Sequence, residues 1–252
     1  MRPTLKSFGL TLLLTCSTTV CLQKGYADAL PFAANSEKSP VLAQATTLQD
    51  RKAEAEKLLQ IGVQQYRQSK FREALESFQQ ALIVFQQLED RKSEGTTLNN
   101  IGLVYSNLGQ YPKALEFYQQ ALAIRKEVGD RAGEGATLNN IGEVYRGLGQ
   151  YPKALEFYQQ ALAIQKDIGD RAGEGGTLNN IGAVYANLGQ YPKALEFCQQ
   201  ALAIGKDIGN RAGEGITLNN IGYLLEAQKQ PTLAIVFLKQ SVSTWEVIRE
   251  EL

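Results

Sequence analysis

Residues 137–169 read TLNNIGEVYRGLGQYPKALEFYQQALAIQKDIG, and this stretch decides the fold. It returns almost unchanged as TLNNIGLVYSNLGQYPKALEFYQQALAIRKEVG at 97–129 and as TLNNIGAVYANLGQYPKALEFCQQALAIGKDIG at 177–209. Gly62, Gly102, Gly142, Gly182 and Gly222 mark one point of the unit at a spacing of 40 residues. A fixed period of this size is the signature of stacked units, each burying its apolar face only against its neighbours.

The unit 130–169 reads as two helices. Asp130 is a helix N-cap whose carboxylate can accept from the free amides of the first turn. Leu138, Ile141, Gly142 and Tyr145 follow at the three-four spacing of one buried helical face. Leu148-Gly149-Gln150 ends this helix, Gly149 being able to adopt a left-handed conformation. Pro152 fits the start of a second helix, where its missing amide costs nothing. That helix buries Ala154, Leu155, Tyr158, Ala161 and Leu162, and Gly169 stops it before the next cap, Asp170. Gly133 and Gly135 weaken the first turn, so RAGEG at 131–135 is expected to fray or to form a loop.

Leu138, Ile141, Gly142, Tyr145, Ala154, Tyr158 and Ala161 fall at the consensus spacing of the tetratricopeptide repeat, a family this chain resembles over residues 51–252. The added junction GDRAGEG makes the unit similar to those of Pins-type polarity adaptors, and TLNNIG…VY resembles kinesin light chain repeats. The proline that often closes the family's second helix is absent. The resemblance implies an all-α, right-handed superhelical solenoid of five repeats, 51–89, 90–129, 130–169, 170–209 and 210–252. Repeat one has Leu59 and Gln60 where the others carry an Asn pair, and repeat five reads Leu225, Leu238 and Ser241 at later landmarks. Divergent terminal repeats are expected, because they face water or a different neighbour.

Upstream, residues 1–29 read as an export signal. Arg2 and Lys6 supply the positive start, an apolar stretch runs from Phe8 to Leu22, and Ala27-Asp28-Ala29 offers a cleavage site. Fifteen apolar residues fall short of the ~20 that span a bilayer, so no stable membrane insertion is expected after processing. Thr15 and Val20 precede Cys16 and Cys21 where a lipoprotein signal wants glycine or alanine. Residues 30–50 are taken as a flexible leader, with a second cleavage option after Ala45. The implied location is the periplasm or exterior of a Gram-negative-type bacterium. Only Cys198 would then remain, standing where the two preceding repeats carry Tyr118 and Tyr158, as a packing substitute.

The resemblance also implies where a ligand would sit, since the first helix of each such repeat lines the concave wall. The matching residues are Asn99, Asn100, Asn139, Asn140, Asn179, Asn180, Asn219 and Asn220. Leu103, Glu143, Ala183 and Tyr223 lie further along that wall, with Ser106, Arg146, Ala186 and Glu226. An asparagine amide donates and accepts, so a ladder of them can hold a peptide backbone whatever its side chains. The competing assignment, in which one Asn of each pair bonds only a neighbouring helix, fits the second of each pair better than the first. Repeats three and four agree at 34 of 40 positions, and four of the six differences (Ala136/Gly176, Glu143/Ala183, Arg146/Ala186, Gly147/Asn187) fall on the expected wall. This pattern suggests a groove diversified to read a ligand. The wall lacks the basic cluster with which chaperone-binding members of the family clamp a terminal carboxylate.

With 26 basic and 26 acidic residues the chain offers no basic surface for nucleic acid. The absence of histidine removes Ser-His-Asp and Cys-His catalysis and histidine metal sites, and no phosphate-binding glycine loop is present. No cofactor or enzyme activity is expected. The primary expectation is a peptide- or protein-binding scaffold whose ligand is unidentified. One alternative is a module that self-associates through its terminal repeats, because Phe237, Leu238, Val242, Trp245 and Ile248 form an apolar helix with no polar closing helix after it. Another is the sensor region of a caspase-like enzyme, whose preceding segment FLKQSVSTWEVIREEL resembles. Trp245 is expected to be partly exposed or covered by another chain.

Overall fold

The period of 40 resolves into two helices of 17 residues and two turns of three. In the computed structural model, which describes residues 47–250, ten helices follow one another. They are α1 (Leu48–Arg67), α2 (Phe71–Gln87), α3 (Arg91–Asn107), α4 (Tyr111–Glu127), α5 (Arg131–Gly147), α6 (Tyr151–Asp167), α7 (Arg171–Asn187), α8 (Tyr191–Asp207), α9 (Arg211–Ala227) and α10 (Pro231–Glu250). The export signal and most of the leader lie outside the described residues. The end of the leader is helical, however: Thr47 caps α1, and its side chain and that of Asp50 bond each other's backbone amides. This reciprocal arrangement satisfies two amides that would otherwise be unpaired, so the helix starts at Leu48.

Asp90, Asp130, Asp170 and Asn210 each accept from the amide three residues on, at 2.9–3.1 Å. The interior turns pivot on glycines with φ near +70°, Gly149 among them. At the two ends of the array Ser69, Glu89 and Lys229 take the same left-handed role.

RAGEG is neither frayed nor a loop, and α5 begins at Arg131. Gly135 lies so close to Ile164 that a Cβ there would stand 3.4 Å from its methyl. Glu134 is buried, accepts from Arg131 at 2.5 Å and lies 3.9 Å from Lys126. Packing and a charged pair therefore outweigh the ~1 kcal/mol that each helical glycine forfeits.

Gly142 needs no side chain because Tyr158 fills its place: a Cβ would meet the ring at 2.7 Å. The core is a string of small clusters in place of one centre. Ala114 and Tyr118 pack with Ile141 and Val144, and Ala154 and Tyr158 with Ile181 and Val184, so each repeat's second helix joins the next repeat's first. Cys198 is buried and its thiol is pushed up to about 11 by desolvation, which suits a packing role and not a reactive one.

Candidate binding wall

Each odd-numbered helix packs on the next odd-numbered one, from α1 through α9, whereas no two even-numbered helices pack this way among the described residues. Crowding on one side and spreading on the other is what curvature means in a stack of helix pairs. The odd helices therefore line the inner wall.

Steps of 100° place Ala136, Asn139, Asn140, Glu143 and Gly147 of α5 on one side. Leu138, Ile141, Gly142 and Val144 are buried on the other. Glu143 lies on the inner side, and Arg146, three residues on, is bonded to it.

Both asparagines of the interior pairs take part in bonds between repeats. Asn99 Oδ1 accepts from Thr137 Oγ1 at 3.2 Å and from Asn140 Nδ2 at 3.1 Å. Asn139 Oδ1 accepts identically from Thr177 and Asn180. Asn179 Nδ2 donates to Thr217 Oγ1 at 2.6 Å. Asn99, Asn139 and Asn179, the first of their pairs, bond the following repeat, and Asn140 and Asn180, the second of theirs, bond the preceding one. Asn140 and Asn180 spend Nδ2 on this ladder and keep Oδ1 free of protein partners. The ladder stops at both ends: Asn100 finds Leu59 where its partner would stand, and Asn219 has no further repeat beyond it among the described residues. Asn100, Asn219 and Asn220 remain half-buried on the wall. Sequence reasoning missed the threonines, although Thr97, Thr137, Thr177 and Thr217 recur with the period and are all buried.

The groove positions are also coupled to one another. Arg146 bonds Glu143 through both Nε and Nη2, and Tyr158 Oη donates to Glu143 Oε2 at 3.0 Å. Repeat four replaces all three, by Ala183, Ala186 and Cys198. Three of the six differences between these repeats are therefore one contact exchanged as a unit, and the pattern cannot be credited to ligand reading alone. The exchange leaves the wall of α7 small and apolar beside the exposed Tyr223 of α9. Leu103, the matching residue of α3, is half-buried against the cluster of Tyr118 and Ile141.

A depression of about 570 Å³ opens across α5, α7 and α9, lined by Ala136, Asn140, Gly176, Asn180 and the exposed Ile216. Gln165, only 5% exposed, also lines it, and its Oε1 has no partner. Asn139 and Asn179 reach the same space, but Glu143, Arg146 and Tyr223 stand outside it. Among the described residues no group of three His, Cys, Asp or Glu side chains is placed to hold a metal ion, and no helix is long and apolar enough to cross a membrane.

The family model for the tetratricopeptide repeat matches residues 53–127, 93–167 and 174–246. A comparison with curated proteins finds no match. Among solved structures, BtubC from P. vanneervenii is similar at a TM-score of 0.68 and 21% identity, over 79% of this chain and 83% of that one. The putative kinesin light chain repeats of Podosopora anserina are similar at a TM-score of 0.60 and 18% identity, over 77% and 96%. A Rap protein complexed with competence and sporulation factor is similar at 0.67 and 18%, over 77% of this chain and 55% of the other. At these identities the likeness is one of fold.

Proposed function

This chain belongs to the tetratricopeptide repeat family, and we propose that within it the chain acts as a non-enzymatic scaffold whose inner wall holds an extended peptide or protein segment. The observation that carries this reading is the depression over α5, α7 and α9. It combines small residues, which admit a backbone closely, with amide oxygens of Asn140 and Asn180 that accept from no protein group. A peptide N–H donating to these oxygens would be read at the backbone, while Ile216 and Tyr223 supply apolar contact. The buried, unpartnered Oε1 of Gln165 is a further acceptor in the same space. Leaving it unpaired costs about 1–3 kcal/mol, which a ligand donor would recover. The complex of the similar Rap protein with competence and sporulation factor supports the reading by analogy of fold.

The test is a selection of displayed random peptides on the full chain, repeated on Gly176→Trp. No atom lies within 4 Å of a Cβ built on Gly176, so the substitution leaves the helix intact and fills the depression. Selected peptides should lose binding by tenfold or more. Recovery of no binders, or equal binding to both proteins, sinks the reading. The same scaffold is taken to work outside the cytoplasm, the segment 1–29 being removed on export. Mass spectrometry of the mature N-terminus tests this, and retention of Met1 overturns it.

A further inference from the structure

Every even-numbered helix before the last has an apolar stripe roofed by the following repeat. On α4, Leu115 and Leu122 pack with Ile141 and Val144, and on α8, Leu195 and Leu202 pack with Leu218 and Ile221. Forty residues beyond those of α8 stand Ile235 and Val242, 52% and 58% exposed. With Leu238 they line a shallow trough of about 290 Å³ whose edges are Lys239 and Glu246.

The edge residues break the repeat pattern. Gln119, Gln159 and Gln199 are succeeded by Lys239, and Lys126, Lys166 and Lys206 by Glu246. A water-facing end would replace the aliphatic pair by polar residues and has no use for a reversed charge. Here the aliphatics stay and the charges change.

The geometry points to a two-fold dimer in which α10 packs antiparallel on α10 of a second copy. Ile235, Lys239, Val242 and Glu246 follow at intervals of four, three and four residues, so they share one face. Lys239 and Glu246 stand equally far on either side of the midpoint between Val242 and Ser243. A two-fold axis through that midpoint brings Lys239 opposite Glu246 of the partner subunit and, by symmetry, Glu246 opposite Lys239 of the partner subunit. The two Val242 side chains then flank the axis. Head-to-tail stacking is disfavoured by the other end of the array. There Lys57 and Gln64 are exposed at the places where α5 buries Thr137 and Val144. One helix per subunit is a small interface, so the expected dissociation constant is on the order of 10 µM.

Sedimentation equilibrium of the full chain over a concentration series should show a monomer–dimer equilibrium with no larger species. Lys239→Glu and Glu246→Lys should each weaken it by roughly tenfold, because both symmetry-related pairs become like-charged. The double variant Lys239→Glu/Glu246→Lys should restore it, and Val242→Asp should abolish it with the helical circular dichroism unchanged. A monomer at every concentration, open-ended growth, or a double variant no better than the single ones would overturn the proposal. The face lies outside the inner wall, so this outcome and that of the peptide selection are independent.

Discussion

The two ends of the array solve the same problem differently. Among the described residues both lack a neighbour on one side, and a helix face built to be covered must there meet something else. At the N-terminal end the face is rewritten: Lys57 replaces the buried threonine, Gln60 the ladder asparagine and Gln64 the buried valine, and all three are exposed. At the C-terminal end the face is kept, with Ile235 and Val242 standing where Leu195 and Leu202 are covered. In a stack held by nearest-neighbour contacts a solvated end needs a polar outer face. One end meets that need, and the other is prepared for a partner.

The sharpest way to break the comparison is to move a residue of the N-terminal end into the interior. Lys57 is harmless in water, but its counterpart Thr137 is 0% exposed, with its hydroxyl within hydrogen-bond reach of both Asn99 Oδ1 and Gly133 O. Thr137→Lys buries an ammonium beside the guanidinium of Arg125, which already reaches that hydroxyl at 2.9 Å. The expected loss is about 4 kcal/mol or more. Urea unfolding should also turn from one transition into two, as the array separates between α3 and α5. A single transition with less than half that loss would show that the ends and the interior are not distinct environments.

A second contrast uses one position at both ends. Phe85 and Trp245 occupy equivalent places, yet Phe85 is fully buried and Trp245 is 43% exposed with its ring over Gly215. Phe85→Ala should cost about 3–4 kcal/mol and Trp245→Ala about 1–2, by the difference in covered area and in the cavity left behind. Thermal unfolding gives both. As the single tryptophan, Trp245 also reports the association of α10 through its emission and its quenching by iodide.

The helix pairs, their caps and the reason for Gly142 were legible because each follows from residues close in the chain. What the sequence did not disclose lies between repeats. Whether Asn139 or Asn140 faces outward depends on how far one repeat is rotated against the next. That rotation is set by Tyr158, Ile181 and Val184 packing together, and no spacing within one repeat encodes it. The helical RAGEG segment was missed for a similar reason: propensity argues against it, and the burial of Gly135 under Ile164 decides for it. One long-range contact had left a trace. Glu143, Arg146 and Tyr158 change together between repeats three and four, which is what a shared hydrogen-bonded group requires.

A smaller effect concerns how the first helix begins. Thr47→Ala removes the capping box of α1 and should cost about 1 kcal/mol. Only α1 lies at that edge, so the loss should appear as faster amide exchange in its first two turns, with exchange in α5 and α7 unchanged. Equal acceleration in the interior would mean that the array unfolds only as a whole, and the distinction between its ends would have no energetic meaning.

The least change in stability, and the most direct trial of the comparison, comes from undoing the rewriting of α1. Lys57→Thr with Gln64→Val gives this helix the face that α5 and α7 present to the repeat before them. Both residues are exposed, so the fold should change by no more than about 0.5 kcal/mol. The assembly should change altogether. A restored apolar face on α1 complements the uncovered stripe on α10, and a contact between unlike faces does not close on itself. Light scattering should then show particles growing with concentration beyond the dimer, and Val242→Asp added to the same chain should stop the growth by removing the other half of the contact. If the double variant stays no larger than the parent, Lys57 and Gln64 are not what keeps the N-terminal end from being extended. The asymmetry would then have to reside in α10 alone.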